Sequence, residues 1–234
     1  MQKIKPQRIF FDLIYEDKYI IVINKKPNII VHTNNKIKKN TIINGLIDYI
    51  ENSYYIPRSG IIHRLDKNTT GIMVIAKSNE AQKNIMMQFR KKLVCKFYSA
   101  LIHGSLLSGG TIRNKIIRDN KNVLKMTLDK DHKNNENAIT HYRIAKKYKK
   151  YTLLNVKIET GKTHQIRLHF SNLGFPIVGD KTYNRRINTM SDIQVDYQLL
   201  HAKCLKFFHP ITKKELCFFS KLPSIFNRFL KYAN

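Results

Sequence analysis

Short runs rich in β-branched and aromatic residues recur along nearly the whole chain, separated by polar turns rather than by regularly spaced helices. They are Phe10 to Tyr15, Tyr19 to Asn24, Ile29 to His32, Gly60 to Leu65, Gly71 to Ala76, Lys96 to Gly104, Thr111 to Ile117, Val123 to Leu128, Ala138 to Ala145, Tyr151 to Glu159, Leu199 to His209 and Glu215 to Phe219. Such residues suit a pleated, half-buried surface. Turns such as Ala145-Lys-Lys-Tyr-Lys-Lys-Tyr151 join consecutive runs closely enough for hairpins, so the sheet is expected to be largely antiparallel. Strands and helices do not alternate, which speaks against a doubly wound nucleotide-binding fold. The expected fold class is therefore α+β, built on a large mixed, mainly antiparallel sheet.

Helices are fewer. Asn79 to Lys92 has Ser78 as N-cap, Glu80 in its first turn and Arg90, Lys91 and Lys92 in its last, each favoured by the helix dipole. Ala81, Ile85 and Phe89 recur at helical spacing as a core face. Ile42 to Glu51 and Ser224 to Tyr232 are weaker helical segments. A chain of 234 residues without a Pro-, Gly- or Ser-rich divide or an internal repeat is expected to form one compact domain over residues 1–234. A fold of that length buries about 70–75 % of its unfolded surface.

Forty-three Lys and Arg against 16 Asp and Glu leave a formal net charge of +27, which calls for an anionic partner. A membrane surface would want one strongly amphipathic basic helix. Here the basic clusters are dispersed, at Lys36 to Lys39, Lys146 to Lys150, Arg185 with Arg186, and Lys213 with Lys214, so nucleic acid is the expected partner. The Lys-, Ile-, Asn- and Tyr-rich composition also bears the mark of low-G+C coding, which accounts for part of the charge. Met1 to Arg8 holds no signal-peptide core, and no apolar run approaches the ~18 residues of a membrane span. Cys95, Cys204 and Cys217 are odd in number and far apart, a pattern of reduced thiols rather than a disulfide framework. A cytoplasmic monomer is expected.

Against that positive background stands Gly60-Ile-Ile-His-Arg-Leu-Asp66-Lys-Asn-Thr-Thr-Gly71, which sets a carboxylate between Arg64 and Lys67. Asp66 has two readings at this stage. It is a turn former between two apolar strands, as Asp in loops commonly is, or a negative charge retained for chemistry.

A second segment, Glu159-Thr-Gly-Lys-Thr-His-Gln-Ile-Arg167-Leu-His-Phe-Ser-Asn-Leu-Gly174-Phe-Pro176, reads as a short helix from His164 to Leu173 with Thr163 as N-cap, although a strand over the same residues stays open. Ile166, Phe170 and Leu173 would face the core, with His164 and Arg167 on another face. An Arg near a helix N-terminus opposes the dipole, so a local negative charge should offset it; Asp66 is a candidate for it. The other reading is that Arg167 and His164 merely meet phosphate or solvent. In Lys96-Phe-Tyr98-Ser-Ala-Leu, strand alternation puts Phe97 and Tyr98 on opposite faces, one for the core and one free to stack on a base. Ser108-Gly-Gly110 is a turn signal, and no phosphate-cradling glycine loop occurs. Neither His164 with His169 nor Cys204 with His209 has a matching second pair for zinc. Hydrolysis or isomerisation on nucleic acid, without cofactor or metal, fits an Asp–Arg centre of this kind.

His63-Arg-Leu-Asp-Lys-Asn-Thr-Thr-Gly71 with Ala76-Lys77, Lys96-Phe-Tyr98-Ser-Ala-Leu, Thr160-Gly-Lys-Thr-His-Gln-Ile-Arg167, Pro176-Ile-Val-Gly-Asp180 with Tyr183, and Leu200-His-Ala202 with His209-Pro210 resemble, in order, the motifs of the RluA/RluD family of RNA pseudouridine synthases. Ile14-Tyr-Glu-Asp and Asn24-Lys-Lys-Pro27 with Val31-His32 resemble its opening. Thr69-Thr70 and Ala138-Ile-Thr-His-Tyr-Arg143 are closer to the RluD type, which acts on large-subunit ribosomal RNA.

The resemblance implies a mixed sheet with flanking helices, a central catalytic cleft, and no cofactor or metal. It implies Asp66 as the catalytic carboxylate, Arg167 as its ion-pair partner and Tyr98 as the ring against the uracil. Arg64 would enter the RNA where the base has left, with His63, His164 and Gln165 as further RNA contacts. RluD-type members usually carry an N-terminal RNA-binding domain, which Met1 to Arg8 is too short to hold, so the charge of the catalytic domain is expected to compensate. Asn184 stands where the family usually has Gly, and Lys162 where Arg is commoner. The alternatives are a tRNA-directed synthase and a non-catalytic RNA-binding assembly factor.

Overall fold

The computed structural model describes residues 4–33, 37–122, 124–129, 137–184 and 195–233. Lys36, Val123 and the Arg185–Arg186 pair, which figured in the sequence reading, lie outside the described residues. The chain divides into two compact units, each made of separate stretches: residues 1–94 with 204–220, and residues 95–203 with 221–234.

In the first unit, β1 (Leu13–Glu16) pairs antiparallel with β2 (Ile20–Lys25), and β2 with β3 (Thr70–Ala76). α1 (Ile42–Tyr49) and α2 (Asn79–Arg90) are its helices. The expected Ser78 cap is present, its hydroxyl accepting from the Ala81 N–H at 3.1 Å. Ile85 of α2 packs with Ile20, Val22, Ile72 and Val74 of the strands and with Leu205 and Phe207 in one core cluster. β2 and β3 are buried on both faces, which is why they read as unbroken apolar runs rather than as alternating ones.

The second unit holds β4 (Cys95–His103), β5 (Gly110–Asn114), β8 (Ala138–Lys147) and β9 (Tyr151–Ile158), hydrogen-bonded in the order β4-β9-β8-β5, all antiparallel. β6 (Ile116–Arg118) and β7 (Met126–Leu128) form a separate ribbon. α3 (Gln165–Asn172) lies on one face of the β8 side, where Phe170 meets the Tyr142 ring edge-on with centroids 5.3 Å apart. α4 (Ser224–Tyr232) covers part of the other face, Phe226 and Phe229 packing on Leu101 and Tyr151. β10 (Leu200–Phe208) begins in this unit and ends in the first, where it pairs antiparallel with β11 (Glu215–Phe219). Antiparallel pairings and, among the described residues, four helices make the α+β organisation that the turn signals predicted.

Two expected strands are not strands. Ile29 to His32 contributes only a bridge from Ile30 to Thr41. Gly60 to Leu65 contributes only a bridge from Ile61 to Ile75, because a 3-10 turn over Pro57–Gly60 redirects the chain. α3 starts one residue later than expected. His164, not Thr163, is its cap and sits in the left-handed region at φ 56°. Leu173, assigned to the core, is 40 % exposed, since the helix has ended before it.

His169 of α3 is fully buried, its Nδ1 2.9 Å from Thr140 Oγ1, and burial pulls its pKa down to about 4. Between about 4 and the unfolded value near 6.5 the unfolded chain binds more protons, so stability rises with pH there and is lost on acidification. Urea unfolding of the wild type should weaken by on the order of 3 kcal/mol from pH 6.5 to pH 4 through this group, and His169→Asn should remove that part of the slope. An unchanged slope in the variant would refute the assignment.

Candidate active site

The Asp66 loop is held from several sides within the first unit. Arg58, Ser59 and Gly60 are consecutive residues of positive φ, at 53°, 49° and 80°. Gly60 is required twice over, by its φ and because a Cβ there would lie 1.8 Å from the Ala76 carbonyl oxygen. Beyond it, Nε2 of His63 accepts from the Val74 N–H at 3.0 Å, and its ring packs on Phe89 at 5.1 Å. Leu65 is buried, and the Thr69 N–H donates to the Asp66 carbonyl at 3.1 Å, closing a turn. Asp66 itself is half-buried and Arg64 exposed. His63 thus anchors the loop.

Lys25, at the end of β2, went unnoticed as a site residue. It is 2 % exposed, and its ammonium donates to the carbonyls of Lys26 at 2.8 Å, Ile29 at 3.0 Å and Lys67 at 2.8 Å. An ammonium has three protons to donate, so this geometry ties the residue after Asp66 to the end of β2. Burial pulls the Lys25 pKa down to about 7, while the nearby Asp66 charge acts in the opposite direction. The available signal was a Lys ending an otherwise apolar strand, in the Asn24-Lys-Lys-Pro27 stretch. Arg64 and Arg58 also lie near His32, whose pKa is lowered first by its burial and then by these two guanidinium groups. The Asp66 carboxylate therefore sits in a strongly cationic neighbourhood on a loop whose backbone is over-determined.

In the second unit, Arg167 is 5 % exposed and forms a two-pronged pair with Asp180, Nε to Oδ2 at 2.7 Å and Nη2 to Oδ1 at 2.9 Å. The predicted offsetting charge thus includes Asp180, a residue quoted for its motif and given no role. Oδ1 of Asp180 also accepts from the N–H groups of Thr182 at 2.9 Å and Tyr183 at 3.2 Å, and the Arg167 guanidinium stacks over the Tyr183 ring at 5.2 Å. Nδ1 of His164 is 2.8 Å from the Tyr183 hydroxyl.

Gln165 is turned inward. It is 3 % exposed, its Oε1 accepts from Thr160 Oγ1 and the Lys162 N–H, and its Nε2 donates to Ile139 O and Thr140 Oγ1. An amide so fully engaged positions α3 against β8. Tyr98 is 9 % exposed and lies in register with Val156, hence on the α3 face of the strands; Phe97 is the more open of the two rings. Among the described residues no three His, Cys, Asp or Glu side chains group as metal ligands, and no helix is long and apolar enough to cross a membrane.

A family model described as RNA pseudouridylate synthase matches residues 19–172, well over half the chain. The chain belongs to that family. Among curated relatives it is 42 % identical over 228 residues to the ribosomal large subunit pseudouridine synthase D of Buchnera aphidicola subsp. Baizongia pistaciae, covering 94 % of this chain and 71 % of that protein. It is 36 % identical to the same-named protein of Haemophilus influenzae, covering 96 % and 71 %. Among solved structures, human RNA pseudouridylate synthase domain containing 4 superposes with a TM-score of 0.72 at 25 % identity over 94 % of this chain and 92 % of that one. The fold is that of the pseudouridine synthases, as the motifs predicted. The chain is an RNA pseudouridine synthase by family, and the Asp66 loop lies inside the matched region.

Proposed function

We propose that this chain converts uridine to pseudouridine in large-subunit ribosomal RNA, with Asp66 as the catalytic carboxylate. The observation that carries the reading is the half-buried Asp66 on a loop pinned by Lys25, His63 and Gly60, in a chain whose relatives over some 94 % of its length are named for that activity.

The chemistry breaks the N1–C1′ bond, turns the detached uracil and joins C5 to C1′; the C5 proton passes to water and N1 takes up a proton in its place. Atoms and charge balance with no other reactant. What the enzyme must supply is an anionic group at the nucleotide, a ring to hold the uracil and a pocket that keeps it from escaping. In this reading Asp66 supplies the anion, Tyr98 is the ring laid against the uracil, and Arg167 is the cation assigned to the reaction.

The target nucleotide must first leave its stack, which costs a few kcal/mol and least in a loop. Arg64, exposed on the same loop as Asp66, takes the vacated space in the RNA, and the +27 charge lowers the cost of bringing the polyanion close. His164 makes a further RNA contact at the N-terminus of α3. The working form is a cytoplasmic monomer on a loop uridine.

Tritium release from 5-tritiated uridine tests the proposal on ribosomal RNA and tRNA side by side. Turnover on large-subunit ribosomal RNA is expected. Release from tRNA alone would overturn the substrate, and release from neither would overturn the activity.

A further inference from the structure

The second unit carries a groove of about 810 Å³ that the reaction above does not use. Its floor is a cross-strand row in exact register, Phe97 beside Lys157, Lys157 beside His141, and His141 beside Thr111, with Arg143 beside Asn155 one step along. Side chains in register across adjacent strands share one face. This is the face opposite Tyr98, because Tyr98 aligns with Val156 and Tyr142, and the Tyr142 ring packs on Phe170 of α3. α4 covers the same face only further along, over Leu101 and Tyr151.

The lining is chemically specific. Arg143 and Lys157 are exposed cations, and Arg113 extends the charge along β5 from Thr111. The Lys157 ammonium lies 6.0 Å from the centre of the half-buried Phe97 ring. Asn155 offers a carboxamide and receives the Lys203 ammonium on its Oδ1 at 2.5 Å. His141 is held between Thr111 Oγ1 at 2.8 Å and Glu159 Oε1 at 2.7 Å, the latter carboxylate being its negative neighbour. Gly109, one of the two glycines of the Ser108-Gly-Gly110 turn, lies where a Cβ would come 2.7 Å from the Tyr142 carbonyl, so that the rim closes tightly on the strand. An apolar lipid phase would find hydrogen-bonding groups here, and protein interfaces are depleted of Lys. Cations around an aromatic ring on an open sheet face suit a single-stranded nucleic acid, with phosphates on the charges and a base on the ring.

We infer that this groove binds a single-stranded stretch of the substrate RNA flanking the target uridine, Phe97 stacking on a base and Arg143 and Lys157 meeting phosphates. The inference rests on the RNA-modifying reading above. It adds a second contact region, on the face away from Tyr98, that lengthens the recognised RNA beyond the modified loop.

The test pairs Arg143→Ala/Lys157→Ala with Phe97→Leu and two substrates, a minimal stem-loop and the same stem-loop with its single-stranded flanks. On the flanked RNA the double variant should raise KM about tenfold at unchanged kcat, and its dependence of log affinity on log salt should be shallower by about 1.4, as for two lost phosphate contacts on a single strand. Phe97→Leu should raise KM with the salt slope unchanged. On the minimal stem-loop all three proteins should agree.

Wild-type protein crosslinked by light to a flanked RNA bearing 5-iodouridine gives a readout that needs no variant to fold. Adducts are expected at Phe97 or on β8 and β9. Equal KM and salt slope on the flanked RNA, adducts confined to other regions, or displacement of the RNA by polyglutamate as readily as by oligouridylate would each overturn the proposal. Loss of the underlying activity would show separately, as absent tritium release by the wild type on both substrates.

Discussion

Asp66→Asn and Asp66→Ala should each reduce tritium release from ribosomal RNA by at least about 10⁴-fold, the scale seen when a group acting directly on the reacting atoms is removed. RNA affinity should change by no more than a few-fold. The pair of substitutions separates the two readings of this residue. The turn at Asp66 is closed by its backbone carbonyl, which accepts from the Thr69 N–H and survives either change. The loop is further held by the Lys25 bond to the Lys67 carbonyl and the His63 bond to Val74, which do not involve the Asp66 side chain. Asn keeps the size and one acceptor oxygen, and replaces the charge and the second acceptor with a neutral NH2 donor. If Asp66 were a turn former, Asp66→Asn would work nearly as well as the wild type; activity within tenfold of wild type would remove Asp66 from the chemistry.

Asp180→Ala should lower stability by about 3–5 kcal/mol, the cost of breaking a buried ion pair by removing one partner. Against a typical total of about 5–15 kcal/mol, that loss removes from about a fifth to all of the margin. The physical reason is the burial of both partners, 6 % and 0 % side-chain exposure for Arg167 and Asp180, which leaves water little access to replace the lost carboxylate. Asp180→Asn should lose somewhat less, because an amide oxygen can still accept from Thr182 and Tyr183 while the carboxylate charge facing Arg167 is lost. Urea unfolding gives the free energies directly. A loss below about 1 kcal/mol would place the pair among weak surface bridges and refute its structural role.

Much of the fold was legible because its signals are local. The Ser78 cap, the Glu80 and Arg90 ends of α2, and the helix over Ser224–Tyr232 follow from residues next to one another in the chain. β11 runs over the expected Glu215–Phe219, and β8 and β9 differ from expectation by a residue or two at their ends. The failures are also instructive. Ile61 and Ile62 have the β-branched character of a strand, yet the three left-handed residues before them turn the chain so that only one bridge forms. The two compact units left no linker in the composition because the chain passes between them three times, at 94/95, 203/204 and 220/221, in each case beside or within a strand.

By itself the sequence determined the α+β class, the charge that demands an anionic partner, and the motif that singles out Asp66, since each depends on residue type or short spacing. Only the tertiary structure decided what the side chains around the motifs are for. Lys25 reaches Lys67 across 42 positions and Arg167 meets Asp180 across 13, and neither separation has a local signature. Burial made Gln165 a brace between α3 and β8, and left Phe97 rather than Tyr98 as the more open ring. Alternation along a strand says that two neighbours face opposite ways; which way is inward depends on the helix that packs there.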